Sequence, residues 1–236
     1  MSMSLTGCGN IIPGPIPFFP TDLTGLVTWF DATDNATLIT GSGAASSWSD
    51  KSGTINPITI GSFAFEPTLT TINSKQALLF DGANDSLAIS QSPISSFTEM
   101  SCFVVFQNVS AFTGTPIFGI GTFGQLVMAI ETSGVQLILD GATMNGTANT
   151  STPHYFAATR NTSQIAALRI DGVQVATGSL GGATVAVGIN NTCAGGDLNS
   201  GWFCNARIGE IILYNRQLTG PEITDVETYL SGKWSI

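Results

Sequence analysis

The stretch from Arg207 to Trp234, RIGEIILYNRQLTGPEITDVETYLSGKW, constrains this chain more than any other. Ile208, Ile211, Ile212, Leu213 and Tyr214 form an apolar, β-rich run that reads as a buried strand. The period then changes. Thr219 can N-cap a helix, Pro221 falls in its first turn, and Glu222 stands three residues after the cap, as a capping box requires. Ile223, Val226, Tyr229 and Leu230 follow at helical spacing, and Gly232 is placed to end the helix. A short amphipathic helix behind a strand-patterned chain implies closure by packing that helix onto a sheet.

The preceding segments alternate short apolar runs with Gly, Asn and Asp. Leu26 to Phe30 reads as the first clear strand. Further strands are expected at Lys75 to Phe80, Ser86 to Ser90, Met100 to Gln107, Pro116 to Ile120, Gln125 to Glu131, Val135 to Asp140, His154 to Arg160 and Ile165 to Asp171. Asp171-Gly172 is a type I′ hairpin signal, because both central positions need positive φ. Ala183, Val185, Val187 and Ile189 alternate at period two, which predicts one more strand. Residues 1–25 differ: Pro13, Pro15, Pro17 and Pro20 forbid a regular helix or central strand. They read as an extended arm whose Ile11, Ile12, Ile16, Phe18 and Phe19 lie on this chain or on a neighbouring subunit, ahead of one domain over 26–236.

Three motifs stand in order before the closing segment: LVTWFDATD from Leu26, WSDKSG from Trp48 and FDGANDSL from Phe80. With HYFAATRN, AALRIDGVQVATGS and the closing strand and helix, this order resembles the laminin-G-like jelly-roll domains of the concanavalin A-like lectin and glucanase superfamily, in their bacterial and bacteriophage form. The resemblance runs from about Leu26 to the C-terminus. It implies an all-β fold, a two-sheet antiparallel jelly-roll sandwich with one short C-terminal helix. It also suggests a Ca²⁺ site at a sandwich rim, for which Asp31, Asp34, Asp81, Asn84 and Asp85 are the candidates. The simpler reading of Asp31 and Asp81 is that they accept hydrogen bonds from turn amides.

Composition narrows the function. Seven Lys and Arg against sixteen Asp and Glu give a net charge of −9, which argues against nucleic acid and anionic membrane as partners. No apolar run is long enough to insert into a membrane. The first cation is Lys51, and the N-terminal prolines interrupt any export signal. Of four cysteines, Cys102 lies in a buried-strand pattern. Cys193 and Cys204 flank the loop AGGDLNSGWF, where a bridge between them and a pair of thiols are both open; the missing signal favours thiols.

Catalytic patterns are sparse. The six Glu are scattered, so the paired acids of a glycosidase are not apparent. The one His, His154, reads as a packed or surface residue, and no cofactor motif is present. The fold instead invites carbohydrate binding, for which Asp197, Asn199 and Trp202 of the Gly-rich loop supply polar groups and an aromatic platform. Trp29, Trp48 and Trp234 lie in motifs and read as core. Together these features suggest a non-enzymatic virion protein, a bacteriophage decoration or fibre subunit anchored by its arm to other virion proteins or to copies of itself, as in a trimer. Its sandwich would face outward, toward host surface glycans. A free or cell-surface carbohydrate-binding module is the alternative, and a glycoside hydrolase a remote one. If the arm is an assembly device, the full-length protein is an oligomer and a chain beginning at Thr21 is a folded monomer; light scattering on both checks this.

Overall fold

The computed structural model describes residues 17–59, 65–89, 91–110, 115–121, 125–187, 192–197 and 201–236. Ile11, Ile12 and Ile16 lie outside them. The strands begin with β1 (Leu26–Asp31), β2 (Leu38–Gly41), β3 (Ala44–Trp48), β4 (Ile58–Thr59), β5 (Thr68–Ile72), β6 (Lys75–Asp81), β7 (Leu87–Ile89) and β8 (Ser96–Phe97). Next come β9 (Met100–Asn108), β10 (Thr115–Ile120), β11 (Leu126–Glu131), β12 (Gly134–Leu139), β13 (Ala142–Thr147), β14 (His154–Arg160), β15 (Ile165–Ile170) and β16 (Val173–Ser179). The chain ends with β17 (Val185–Ala186), β18 (Thr192–Ala194), β19 (Gly196–Asp197), β20 (Trp202–Phe203), β21 (Asn205–Tyr214) and the helix α1 (Gly220–Trp234).

Seventeen of these strands are hydrogen-bonded into one antiparallel sheet. From β21 one arm runs through β9, β14 and β15 to β16. The other runs through β6, β5, β3, β4, β7, β18, β10, β11 and β12 to β13. Its two ends meet: a Cβ on Gly146 of β13 would lie 2.5 Å from Val175 of β16. The sheet therefore nearly closes, barrel-like, around one apolar core that includes Phe30, Trp48, Phe80, Phe106, Phe118 and Phe156. The sequence expectation of an all-β fold with one C-terminal helix is met at this level. The strand expected over Ala183 to Ile189 is reduced to the two residues of β17, paired with β8, and Ile189 lies outside the described residues.

β21 is central because both its edges are paired. β9 runs along one edge; β6 pairs with its first half on the other, and β1 with its second half. Its side chains also face apolar surroundings on both sides, which explains the near-continuous apolar run. Ile208, Ile211 and Leu213 enter the inner core, while Ile212 and Tyr214 face a second cluster beneath α1. The change of phase comes at Gly209, where the register with β9 shifts. This bulge turns Glu210 out of the inner core and toward the helix. Only glycine fits there, since a Cβ would lie 2.4 Å from the Trp234 ring.

α1 starts as its sequence predicts. Glu222 accepts hydrogen bonds from the Thr219 N–H and hydroxyl and pairs with Arg216 at 2.7 Å. Val226 and Leu230 are buried against the sheet, with Ile223 and Tyr229 beside them. Gly232 does not end the helix. It runs on to Trp234, and Ser235 supplies the left-handed C-cap. The reason is tertiary: Trp234 must reach over Gly209 to donate its indole N–H to Glu210. Burial of Val226, Leu230 and Trp234 contributes about 1.5–3 kcal/mol each.

Under the helix lies a buried ionic cluster. Glu210, 1% exposed, accepts from Trp29 Nε1 at 2.7 Å and from Tyr229 Oη, Lys233 Nζ and Trp234 Nε1 at 2.8 Å each. Lys233 also pairs with Asp31 at 2.7 Å. Replacing Glu210 by Ala would leave two indoles and the Tyr229 hydroxyl without their acceptor, and Lys233 with Asp31 as its one remaining carboxylate among the described residues. It should cost about 3–5 kcal/mol, measured by urea unfolding.

Candidate binding site

The ends of β6, β9, β11 and β13 and the starts of β10, β12, β14 and β21 gather at one end of the barrel-like sheet, as their antiparallel registers require. There an open cleft of about 180 Å³ is lined by Asn108, Val109, Ser110, Thr132, Ala148, Asn149, Thr150 and Ser151. Every polar group on that lining is an uncharged amide or hydroxyl.

Three connections build the cleft. The chain leaving β9 is fixed by Asn108 N–H to Thr150 O and Val109 N–H to Asn205 O, both 2.9 Å. The run from β13 to β14 forms an Asx turn, Asn149 Oδ1 accepting from the Ser151 N–H and hydroxyl. Gln107 then joins this wall to β21, donating to Ser151 O at 3.0 Å and accepting from Arg207 Nη1 at 2.9 Å. The Ser110 hydroxyl and Arg207 Nε are buried without a hydrogen-bond partner, both beside this wall.

The sequence-predicted loop sits at the same end. Asp197 and Trp202 are opposed across the short β19–β20 hairpin, and Ser86 donates its hydroxyl to Gly196 O. Trp202 is 45% exposed, whereas Trp29, Trp48 and Trp234 are core residues as expected. Asn199 lies outside the described residues.

The four aspartates fall into two separate places along β21, Asp31 opposite Glu210 and Asp81 opposite Asn205. Asp31 and Asp34 do come together, but around a protein cation: Lys51 Nζ lies 3.1 and 2.9 Å from them. Burial pushes the Asp31 carboxyl upward, yet Lys233 and Lys51 outweigh it and hold it below its ordinary range. Lys51 also stands 4.2 Å over the Trp29 ring, and its neighbour Asp50 accepts the Trp29 N–H at 2.7 Å. WSDKSG is thus a stitch between β1 and the chain after β3. Asp81 accepts from the Ala83 and Asn84 N–H groups, and Asp85 from the Asp81 N–H, so FDGAND is a tight turn held by its own carboxylates. Among the described residues no group of three or more His, Cys, Asp or Glu is arranged to hold a metal ion.

Cys193 and Cys204 stand as thiols, not as the bridge their spacing left open. Cys204 belongs to the inner core, while Cys193 directs its Sγ to Gly119 O at 3.7 Å. Of the arm residues, Phe18 packs edge-on against Tyr229 of α1 at 6.1 Å, and Pro20 O accepts from the Tyr214 hydroxyl. Phe19 is 47% exposed. The described part of the arm therefore lies on its own chain.

His154 is half-buried at the cleft end. Its Nδ1 lies 2.5 Å from Asp171 Oδ2 and its Nε2 2.9 Å from Thr152 Oγ1. Asp171 also accepts the Tyr155 N–H, and its positive φ of 48° with Gly172 at 78° makes the expected I′ turn. The Asp171 carboxylate raises the imidazole above its ordinary value, against the opposing effect of burial.

No protein-family model matches the sequence, and no curated protein matches it. Solved structures share the fold. Domain 4 of an extracellular GH43 arabinanase from Geobacillus stearothermophilus, solved with arabinotriose, is similar over 86% of this chain and 98% of that one, with a TM-score of 0.63 at 16% identity. Trypanosoma rangeli sialidase in complex with sialic acid reaches a TM-score of 0.62 at 16% identity over 89% of this chain, which spans 33% of the sialidase. The binding domain of Paraclostridial mosquitocidal protein 1 gives 0.61 at 13% identity, over 89% of this chain and 53% of that one. The likeness is one of fold: an all-β domain, found here in an arabinanase, a sialidase and the binding domain of a mosquitocidal protein.

Burial, with the Asp81 charge adding to it, raises the Asp85 carboxyl to about 6 from an ordinary 3.8. The folded state therefore holds this proton more tightly than the unfolded chain does. Stability should fall as pH rises from about 4 to about 6, and Asp85→Asn should remove that part of the slope. Urea unfolding across this range and an NMR titration of the carboxyl check it.

Proposed function

We propose that this protein is a carbohydrate-binding domain built as a lectin-like jelly roll, and that it binds neutral sugars at the end of the barrel. In this reading the sheet folds into two layers over one core: one runs from β16 to β21 beneath α1, the other carries β10 to β13. The observation that carries the proposal is the uncharged cleft from Asn108 to Ser151, with Trp202 exposed at the same end. Sugar hydroxyls demand a few placed amides and hydroxyls, and a sugar's C–H face stacks on an aromatic ring. Both are supplied here without a cation. An acidic chain with no positive group on the described cleft lining is poorly suited to anionic glycans. At about 180 Å³ the cleft is smaller than the 300–1,000 Å³ of drug-sized pockets, which fits one or two sugar rings at a shallow site.

The arabinanase domain supports the reading, because almost all of that domain aligns with this chain and it was solved with an oligosaccharide. A binding role is preferred to hydrolysis because none of the described cleft-lining residues is a carboxylate, whereas most glycoside hydrolases use a pair of them. Display on a virus particle, anchored by residues 1–25, is a separate proposal that rests on the sequence motifs and would point this end at host glycans.

A glycan array, followed by calorimetry with arabinotriose and the best neutral ligand, tests the site. Trp202→Ala and Asn149→Ala should each weaken binding about tenfold, while Trp202→Ala leaves the melting temperature unchanged because its ring is half exposed. Binding that survives both substitutions, or that selects anionic glycans, would overturn the assignment.

A further inference from the structure

We propose that His154 is the positioning residue of the cleft, a protonation-controlled clamp that holds the wall Asn149–Ser151 more firmly in acid than in base. This rests on the carbohydrate-binding reading for its consequence, though not for its geometry.

The wall hangs between two strands. On the β9 side it is tied by Thr150 and Ser151 to Asn108 and Gln107. On the β14 side its next residue, Thr152, is tied to the His154 imidazole, and the imidazole to Asp171 in the β15–β16 turn. His154 thus links the cleft wall to a hairpin that is itself braced. Arg169 pairs with Glu227 of α1 at 2.7 and 2.9 Å and donates to Gly172 O at 2.5 Å. A small movement at Asp171 is resisted by the helix, so the imidazole has a fixed anchor on one side and the wall on the other.

The groups facing His154 are Asp171 from the turn, Thr152 and the Asn149 backbone from its own lead-in, and the Phe106 ring of β9 at 6.3 Å. Behind Asp171 stand Tyr155, Arg169 and Glu227, of which the last two neutralise each other. Among the described residues the one uncompensated charge meeting the ring is therefore the Asp171 carboxylate. When the imidazole is neutral, its Nδ1–H donates to Asp171 and its Nε2 accepts from the Thr152 hydroxyl. When it is protonated, both nitrogens donate: Nδ1–H to a carboxylate, and Nε2–H to Thr152 Oγ1 or the Asn149 backbone. Charge-assisted bonds of this kind are roughly twice as strong as neutral ones. Asp171 favours the protonated form in the folded protein, so the clamp is complete below the unfolded-state value near 6.5. That charge-assisted reinforcement is lost as pH rises through the higher folded value, leaving the neutral bonds.

Thr152 lies in the bend before β14, and Asp171 in the turn beyond β15, so the two meet His154 from opposite sides. The order hydroxyl, imidazole, carboxylate matches a catalytic relay, but here the hydroxyl belongs to the segment that walls the cleft.

A pH titration of the unliganded wild-type protein by two-dimensional NMR tests the clamp directly. The His154 ring and the backbone amides of Asn149, Thr150 and Ser151 should titrate together, and the protection of those amides, relative to the intrinsic base-catalysed exchange rate, should fall above the midpoint. His154→Gln should abolish the shared titration, and Asp171→Asn should move its midpoint to lower pH. Amides that ignore the ring's midpoint overturn the proposal. In the second arm, affinity for the best neutral glycan of the array should fall at least about threefold from pH about 5.5 to about 8.5 in wild type, and stay flat in His154→Gln. A pH-independent wild-type affinity alongside titrating amides overturns the link to binding. If no glycan binds at any pH while the amides follow the ring, the carbohydrate reading fails and the clamp stands.

Discussion

Glu210 brings a negative charge under the closing helix, and the architecture around it follows from satisfying that charge. A carboxylate removed from water is costly unless it is paired and hydrogen-bonded on both oxygens. Here one oxygen takes the Trp29 indole and the Tyr229 hydroxyl, the other takes Lys233 and the Trp234 indole. Those donors come from β1 and α1, and Glu210 itself from β21. The first strand, the last strand and the last helix are therefore registered against one another by a single side chain. Burial pushes its proton affinity up and Lys233 opposes it. Apolar packing under α1 would hold the helix to the sheet without fixing its rotation or its axial position; the directional bonds at Glu210 fix both. The helix also passes Gly232 because its last turn must bring Lys233 and Trp234 to that carboxylate.

The bulge at Gly209 is the backbone device that makes this arrangement possible. An unbroken β21 would keep even-numbered residues on one face, and Glu210 would then follow Ile208 into the apolar core. One extra residue reverses the alternation. It also clears room for the Trp234 ring, which a side chain at 209 would block. Lys51 and Asp31 extend the network to the chain after β3, so the motifs WFDA, WSDKSG and the closing IGE…KW converge in space although they are spread over most of the sequence. Their polar residues serve the scaffold. That separates them from the opposite requirement at the barrel end, where polar groups are left turned toward solvent.

There the scaffold ends in connections whose lengths and turns set a shallow, uncharged concavity. The cleft has no rigid strand of its own on the wall Asn149–Ser151, which depends on hydrogen bonds to β9 on one side and on His154 on the other. Ser110 and Arg207 carry buried polar atoms without a partner beside this wall. Among the described residues the other two such atoms, Ser47 Oγ and Trp48 Nε1, lie away from the cleft in and beside the core, whereas these two adjoin its open wall.

How much of this was legible in the sequence varies with the range of the interaction. The all-β character, most of the long strands, the I′ turn at Asp171-Gly172, the N-terminus of the helix and three core tryptophans are fixed by alternation, turn chemistry and capping, which act within a few residues. The short strands β2 to β5 carry weak patterns, since Ser, Thr and Ala mark a strand only once a neighbour covers them. The pairing of Asp31 with two lysines could not be read from spacing, because Lys51 comes from a distant turn and Lys233 from the end of α1, and clustered carboxylates alone suggest a metal as readily as an ammonium group. The thiols at Cys193 and Cys204 were likewise undecided by the loop between them; their directions depend on which face of the sheet each strand presents. Trp202 was recognisable as a tryptophan beside a Gly-rich loop, but its exposure was not, because WF before a strand reads equally as core. The cleft residues Asn108, Ser110, Thr132, Asn149, Thr150 and Ser151 carried no sequence signal of a binding site beyond being small and polar; Asn108-Val109-Ser110 reads only as a glycosylation sequon. By itself the sequence determined the all-β character and the closing strand and helix, through local periodicity. The tertiary structure alone decided which charges meet and where a ligand has room, because those depend on segments far apart in the chain being brought to one end of the sheet.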